Sequence, residues 1–128
     1  MQLFVNLPVK DLSRSKTFFG ELGFAMFGAG EDMASVVIND GAQVMLLAEE
    51  TFAGYAAKEV GDATKSTEAI LVVGVENAAQ VDELTEKALA AGATPLGPPR
   101  QDAFRYQRAF ADLDGHHWEV LCLVQPAG

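Results

Sequence analysis

The chain has 128 residues, 49% of them hydrophobic and 21% charged, and this predicts one globular domain over residues 1–128. Nine Lys and Arg against eighteen Asp and Glu give a formal net charge of −9. That charge argues against a nucleic-acid partner, which clustered Lys and Arg would hold, and against an anionic membrane surface.

The first half of the chain predicts a strand, a helix and three further extended segments, followed by a short second helix. Asp11 is placed to accept hydrogen bonds from the first turn of the long helix, and Gly23 to end it. Pro8 is expected to end the first strand. The predicted elements are strand Phe4–Leu7, a helix over 12–22, strands Phe24–Phe27, Ala34–Ile38 and Gln43–Leu47, and helix Glu49–Lys58.

The second half begins with a strand again, after a polar connector over 59–67. Asn77 can cap the helix that follows, with Gln80 as its reciprocal partner, and Gly92 ends that helix. The predicted strands are Ala69–Val75, Thr94–Leu96, Phe104–Ala111 and His117–Leu123.

Both halves therefore have the order strand, helix and about three strands, which predicts one structural unit used twice. Module one covers about 1–58 and module two about 67–125. Two facing sheets can enclose a cleft, and clefts are where small molecules bind.

The sequence also predicts a cytoplasmic location with no membrane partner. The N-terminus lacks the basic region and long apolar run of an export signal. No apolar stretch approaches the ~20 residues needed to span a bilayer. The single cysteine, Cys122, cannot form a disulfide within one chain and is interpreted as a small core residue.

Two segments carry a resemblance to a known family. Phe4–Phe24 and Asp112–Glu119 resemble the glyoxalase/bleomycin-resistance/dioxygenase family, also called the vicinal oxygen chelate superfamily. The resemblance covers essentially the whole chain. It implies an α+β fold in which two βαβββ modules form a cupped, mixed but mostly antiparallel sheet, and it implies a homodimer.

In metal-dependent members of this family, four side chains from the first and last strands of each module bind a divalent ion. The resemblance places those positions at Phe4, Met45, Ile70 and Glu119. Of these, only the Glu119 carboxylate suits a hard divalent ion. We therefore expect a degenerate metal site and no cofactor. A divalent metal held by Glu119 with His117 is the alternative, and Glu119 is the catalytic candidate.

The other candidate ligand-binding residues follow from strand geometry, because side chains two apart on a strand share a face. The residues expected on the same face as the four positions above are Asn6, Gln43, Glu68 and His117. The resulting cleft would combine an apolar floor with a few polar groups, as small-molecule sites do. Trp118 should face the opposite way, into the core.

Tyr106 and Arg108 alternate on the strand that leads into the last hairpin. Tyr106 could stack on a ligand, and Arg108 could bind a carboxylate or phosphate through two hydrogen bonds. The alternative is that Tyr106 packs in the core and Arg108 neutralises nearby acids.

These observations leave three functions open. The first is metal-free binding of a small aromatic or cationic molecule, as in the antibiotic-resistance branch of the family. Twelve of the eighteen acids lie between Glu31 and Glu86, with only two basic residues among them, which favours a cationic ligand or contributes only to solubility. The second is a metal-dependent enzyme, a glyoxalase-I-like lyase or a dioxygenase or epimerase. The third is an interaction module.

Overall fold

A computed structural model of the protein describes residues 1–28 and 30–124. The chain divides into two compact units, with the boundary between Gly61 and Asp62. That boundary lies inside the predicted connector, whereas residue 125, the expected end of module two, lies outside the described residues. No helix within the described ranges is long and apolar enough to cross a membrane.

The first unit is a four-stranded sheet with a helix on one face. Its elements are β1 (Leu3–Val9), α1 (Leu12–Glu21), β2 (Ala25–Gly28), β3 (Met33–Asn39), β4 (Ala42–Ala48) and α2 (Glu49–Tyr55). The strand order is β1-β4-β3-β2, in which β1 runs parallel to β4 and the other pairs are antiparallel. Phe18 and Phe19 of α1 are buried, their rings edge to face at a centroid distance of 4.9 Å.

The second unit repeats this arrangement. Its elements are β5 (Ile70–Gly74), α3 (Ala78–Ala90), β6 (Thr94–Pro95), β7 (Arg100–Gln101), β8 (Arg105–Ala111) and β9 (His117–Leu123). β5 runs parallel to β9, β9 is antiparallel to β8, and the short strands β6 and β7 both pair with β8. α3 packs on β8 and β9, where Trp118, Val120 and Cys122 are buried as expected. The first unit thus begins in the order βαβββ, and the second has the same order except that two short strands, β6 and β7, replace one. The predicted α+β class is confirmed.

The helix caps follow the sequence closely. The Asp11 side chain accepts a hydrogen bond from the backbone N–H of Arg14 at 3.1 Å. The Asn77 side chain accepts one from the N–H of Gln80 at 2.9 Å. The Gln80 side chain in turn accepts from the N–H of Glu76 at 2.8 Å, one residue earlier than the reciprocal cap predicts.

The end of the first strand differs from the prediction. Pro8 does not end β1, which continues to Val9. Among the described strands, β1 lies at the edge of its sheet and pairs only with β4, so the N–H that proline lacks is not needed by a second neighbouring strand.

Candidate functional site

The first unit presents four predicted site residues on one face of its sheet. Phe4 pairs with Gln43, and Asn6 pairs with Met45, so all four side chains share the face opposite the buried Leu7 and Leu46. On the same face, the Ser35 hydroxyl lies 2.5 Å from the Gln43 side-chain oxygen and donates to it. Phe4 is 53% exposed.

The second unit presents an equivalent face, which we call the open face of the β5-β9-β8 sheet. Ile70 pairs with His117, and Val72 pairs with Glu119, so these four side chains point to the same side. Ile70 and Val72 are 50% and 51% exposed. His117 and Glu119 are only 21% and 18% exposed, so two polar groups are partly enclosed beside exposed apolar ones.

Glu68 lies outside the strand that forms this face. The alternation that grouped it with Ile70 requires a continuous strand, and β5 begins only at Ile70. Glu68 lies before the strand, in a bend, and is exposed.

A third polar residue, Gln107 on β8, joins His117 and Glu119 on the open face. Its side-chain N–H donates to Glu119 Oε2 at 3.1 Å, while His117 Nε2 lies 3.4 Å from Glu119 Oε1. His117 Nε2 is buried and has no hydrogen-bond partner within the described residues. We call this set the Gln107–Glu119–His117 cluster. Sequence reasoning missed Gln107, although counting the final hairpin back from its turn would have placed it near Glu119.

The cluster does not fit a divalent metal ion. It offers one imidazole and one carboxylate, with a Gln107 amide that already donates to that carboxylate, whereas protein sites for such ions supply three or four donors as a rule. In the part of the chain that the structure describes, no three His, Cys, Asp or Glu side chains are grouped to hold a metal. We therefore derive no chemical step through a metal from this donor set.

Tyr106 and Arg108 lie on the other face of the sheet, against α3. The Tyr106 hydroxyl donates to Asp82 Oδ1 at 2.6 Å. Arg108 pairs with Asp82 at 3.2 Å and with Glu86 at 2.8 Å. The Tyr106 hydroxyl and the Arg108 guanidinium therefore contact α3, and Arg108 neutralises nearby acids as the alternative interpretation expects. Arg108 also contributes to the lining of a small pocket that contains the cluster.

These contacts shift the pKa values of Asp82 and Tyr106. The hydrogen bond from Tyr106, assisted by Arg108, lowers the pKa of Asp82 below its ordinary 3.8 although partial desolvation opposes it. The same hydrogen bond raises the pKa of Tyr106. An Asp with a lowered folded-state pKa stabilises the fold above its unfolded pKa, and this contribution is lost as pH falls through the folded value.

We expect Tyr106→Phe to lower the free energy of unfolding at neutral pH by about 1 kcal/mol or less, because Asp82 loses one charge-assisted partner. The difference from wild type should shrink below about pH 4, where Asp82 becomes protonated in both proteins. Urea unfolding across pH measures this. Tyr55→Phe, at an exposed position of α2, is the matched control. An equal loss at neutral and acid pH would contradict the assignment.

Two adjoining pockets open beside the cluster, both within the second unit. The larger, of about 510 Å³, lies between residues 63–67, β6 and the β8–β9 hairpin. The smaller, of about 60 Å³, contains Gln107, Glu119 and Arg100. His117 and Leu96 line both pockets. The cluster therefore borders a concavity large enough for a small organic molecule.

Asp112 lies in the wall of the larger pocket with its carboxylate already satisfied. It accepts from the backbone N–H groups of Asp114 and His116, both at 3.0 Å, and from the Trp118 indole N–H at 2.9 Å. Burial raises the pKa of Asp112, while the neighbouring His116 and these hydrogen bonds act to lower it.

Comparison with known proteins identifies the family. The sequence model of the Glyoxalase/Bleomycin resistance protein/Dioxygenase superfamily matches residues 2–120. The chain belongs to this superfamily. No curated protein matches the chain.

Solved structures related to this superfamily member have the same fold. A hypothetical protein from S. aureus is 28% identical, with a TM-score of 0.83 over 95% of this chain and 93% of its own. A protein from Agrobacterium tumefaciens is 26% identical, with a TM-score of 0.72 over 98% of each chain. A glyoxalase-related enzyme from Fulvimarina pelagi is 22% identical, with a TM-score of 0.82 over 99% of each chain, and this shows the fold alone.

Proposed function

We propose that this superfamily member binds a small aromatic molecule on the open face of its second sheet, with a cationic molecule as the alternative. The supporting observation is the partly enclosed Gln107–Glu119–His117 cluster beside a pocket of about 510 Å³. Polar groups placed at a concavity are what orients a small ligand.

An aromatic ligand and a cationic ligand would contact different parts of this face. Ile70 and Val72 leave apolar strand surface exposed next to the cluster, and a flat apolar ring would remove that surface from water. The Glu119 carboxylate is the group that a cation would contact. In this proposal His117 and Glu119 position the ligand.

Isothermal titration of the whole chain against aromatic and cationic antibiotics tests the proposal. We expect binding heat with aromatic members of the panel, weakened roughly threefold to tenfold by His117→Ala or Glu119→Gln, because each removes a polar contact. Glu68→Gln, which removes the same charge outside the face, should bind as wild type does. Absence of heat throughout, or variants that bind unchanged, would contradict the proposal.

A metal-dependent lyase or dioxygenase is the second candidate, and the 3.4 Å approach of His117 to Glu119 is the observation that favours it. Metal analysis of the purified protein decides between the two. We expect no stoichiometric metal, because the donor set is too small. Stoichiometric Zn, Ni, Mn or Fe that is lost in Glu119→Ala would favour the enzyme. Homodimerisation and a cytoplasmic location stay predictions.

A further inference from the structure

We propose that the larger pocket of the second unit receives the carboxylate of a small aromatic acid, with the Lys65 ammonium as its counter-charge. This inference rests on the proposed function and decides the charge of its ligand. It reverses the expectation from net charge, under which a cation is favoured.

The pocket wall formed by residues 63–67 supplies donors for an anion. Lys65 lines the pocket, and within the described residues its ammonium makes no ion pair with a carboxylate. Ser66, Thr67 and Thr94, each of which carries a hydroxyl group, line the same pocket. Hydroxyl and ammonium donors together stabilise a carboxylate better than either does alone.

Few of the acids that make the chain so negative lie at the larger pocket, although Asp62 is in the turn that carries Lys65. Asp112, the carboxylate that lines the larger pocket, already accepts three N–H hydrogen bonds. Asp82 and Glu86 pair with Arg108 on the opposite face of the sheet. Glu119 belongs to the smaller pocket, where Arg100 also lies.

The wall is held in place before any ligand arrives. Asp62 Oδ1 accepts from the Thr64 backbone N–H at 2.9 Å and from the Thr64 hydroxyl at 2.6 Å, which fixes the turn that carries Lys65. Gly115 of the hairpin lies so close that a Cβ there would stand 2.9 Å from the backbone of Ala63 and Thr64. A wall fixed in this way loses little conformational freedom on binding.

Three probes that share a benzene ring but differ in charge test the inference: benzoate is an anion, benzamide is neutral and benzylamine is a cation. We expect benzoate to bind wild type about tenfold more tightly than benzamide, with benzylamine weakest, because the carboxylate gains a charge-assisted contact. Added salt should weaken benzoate binding more than benzamide binding.

Lys65→Gln should reduce benzoate affinity to that of benzamide and leave benzamide unchanged. Lys58→Gln, which makes the same change of charge in the first unit, should leave both affinities unchanged. Circular dichroism verifies that both variants fold.

The possible failures are distinguishable. If benzamide binds but benzoate binds no more tightly, or if Lys65→Gln keeps the preference for benzoate, the inference is wrong and the proposed function stands. If benzylamine binds most tightly, the ligand is cationic and the inference is overturned. If none of the three binds, the proposed aromatic site is wrong, and the inference is wrong as well.

Discussion

Replacing Asp112 with alanine is expected to lower the free energy of unfolding by about 3 kcal/mol, because buried donors lose their acceptor. The carboxylate accepts from Asp114, His116 and Trp118, and the indole ring of Trp118 is 1% exposed, so water cannot replace the lost acceptor there. Part of the loss is offset, since burial makes the ionised carboxylate itself costly.

Asparagine at position 112 distinguishes the hydrogen bonds from backbone N–H groups from the hydrogen bond of the Trp118 indole. Its carbonyl oxygen can still accept from the backbone N–H groups, but its amide nitrogen cannot accept from the Trp118 indole. We expect Asp112→Asn to cost about half as much as Asp112→Ala. Trp118 is the only tryptophan of the chain, so its fluorescence during urea unfolding reports on this contact directly. A wild-type midpoint for Asp112→Asn would contradict the assignment.

The difference in the free energy of unfolding between wild type and Asp112→Asn should change with pH in one direction. The folded-state pKa of Asp112 lies above its ordinary 3.8, so the folded chain takes up this proton first as pH falls. The part of the Asp112 contribution that depends on its protonation is therefore complete below the unfolded pKa and is lost as pH rises through the folded pKa. The stability advantage of wild type over Asp112→Asn should increase as pH falls from neutral towards about 4.

Replacing Gly115 with alanine is the second large effect we expect, a loss of about 2–4 kcal/mol. The residue has a φ of +87°, and an added Cβ would lie 2.9 Å from backbone atoms of Ala63 and Thr64. Backbone atoms cannot rotate away as a side chain can, so residues 63–67 must move off the hairpin. The same displacement should weaken benzoate binding.

Gly23→Ala is the matched control for this substitution. Gly23 has a φ of +98°, but a Cβ there would have no atom within 4 Å, so the variant carries the backbone strain without the collision. Gly23→Ala should cost only about 1 kcal/mol. Urea unfolding compares the two variants, and equal losses would show that the contact with residues 63–67 contributes nothing.

The repeat and the strand faces were predictable because they depend on local patterns. Helix caps such as Asp11 and Asn77 depend on residues close together in the sequence, and so does the period of two along strands. The faces of Phe4, Met45, His117 and Glu119 within their own units follow from that period. Glu68 was grouped with Ile70 although it lies before even the predicted strand Ala69–Val75, and the period of two holds only within a strand.

Tyr106 and Arg108 show what the sequence could not provide. Their residue types suit a ligand site and an ion pair equally, and the choice depends on which helix packs over β8. Asp82 and Glu86 on α3 meet them there, a contact between residues far apart in sequence. Total charge cannot decide the charge of a ligand for the same reason, because it counts acids without showing which ones already have partners.

Each unit pairs its first strand in parallel with its last, β1 with β4 and β5 with β9. The chain between the first and last strand of a unit must close into a loop, and this costs entropy before the pairing contributes any stability. The first strand of each unit therefore leaves the ribosome long before its partner exists, and it cannot join its sheet until the final strand follows. A chain truncated within either unit would leave an apolar strand without its neighbour, ready to pair with another chain.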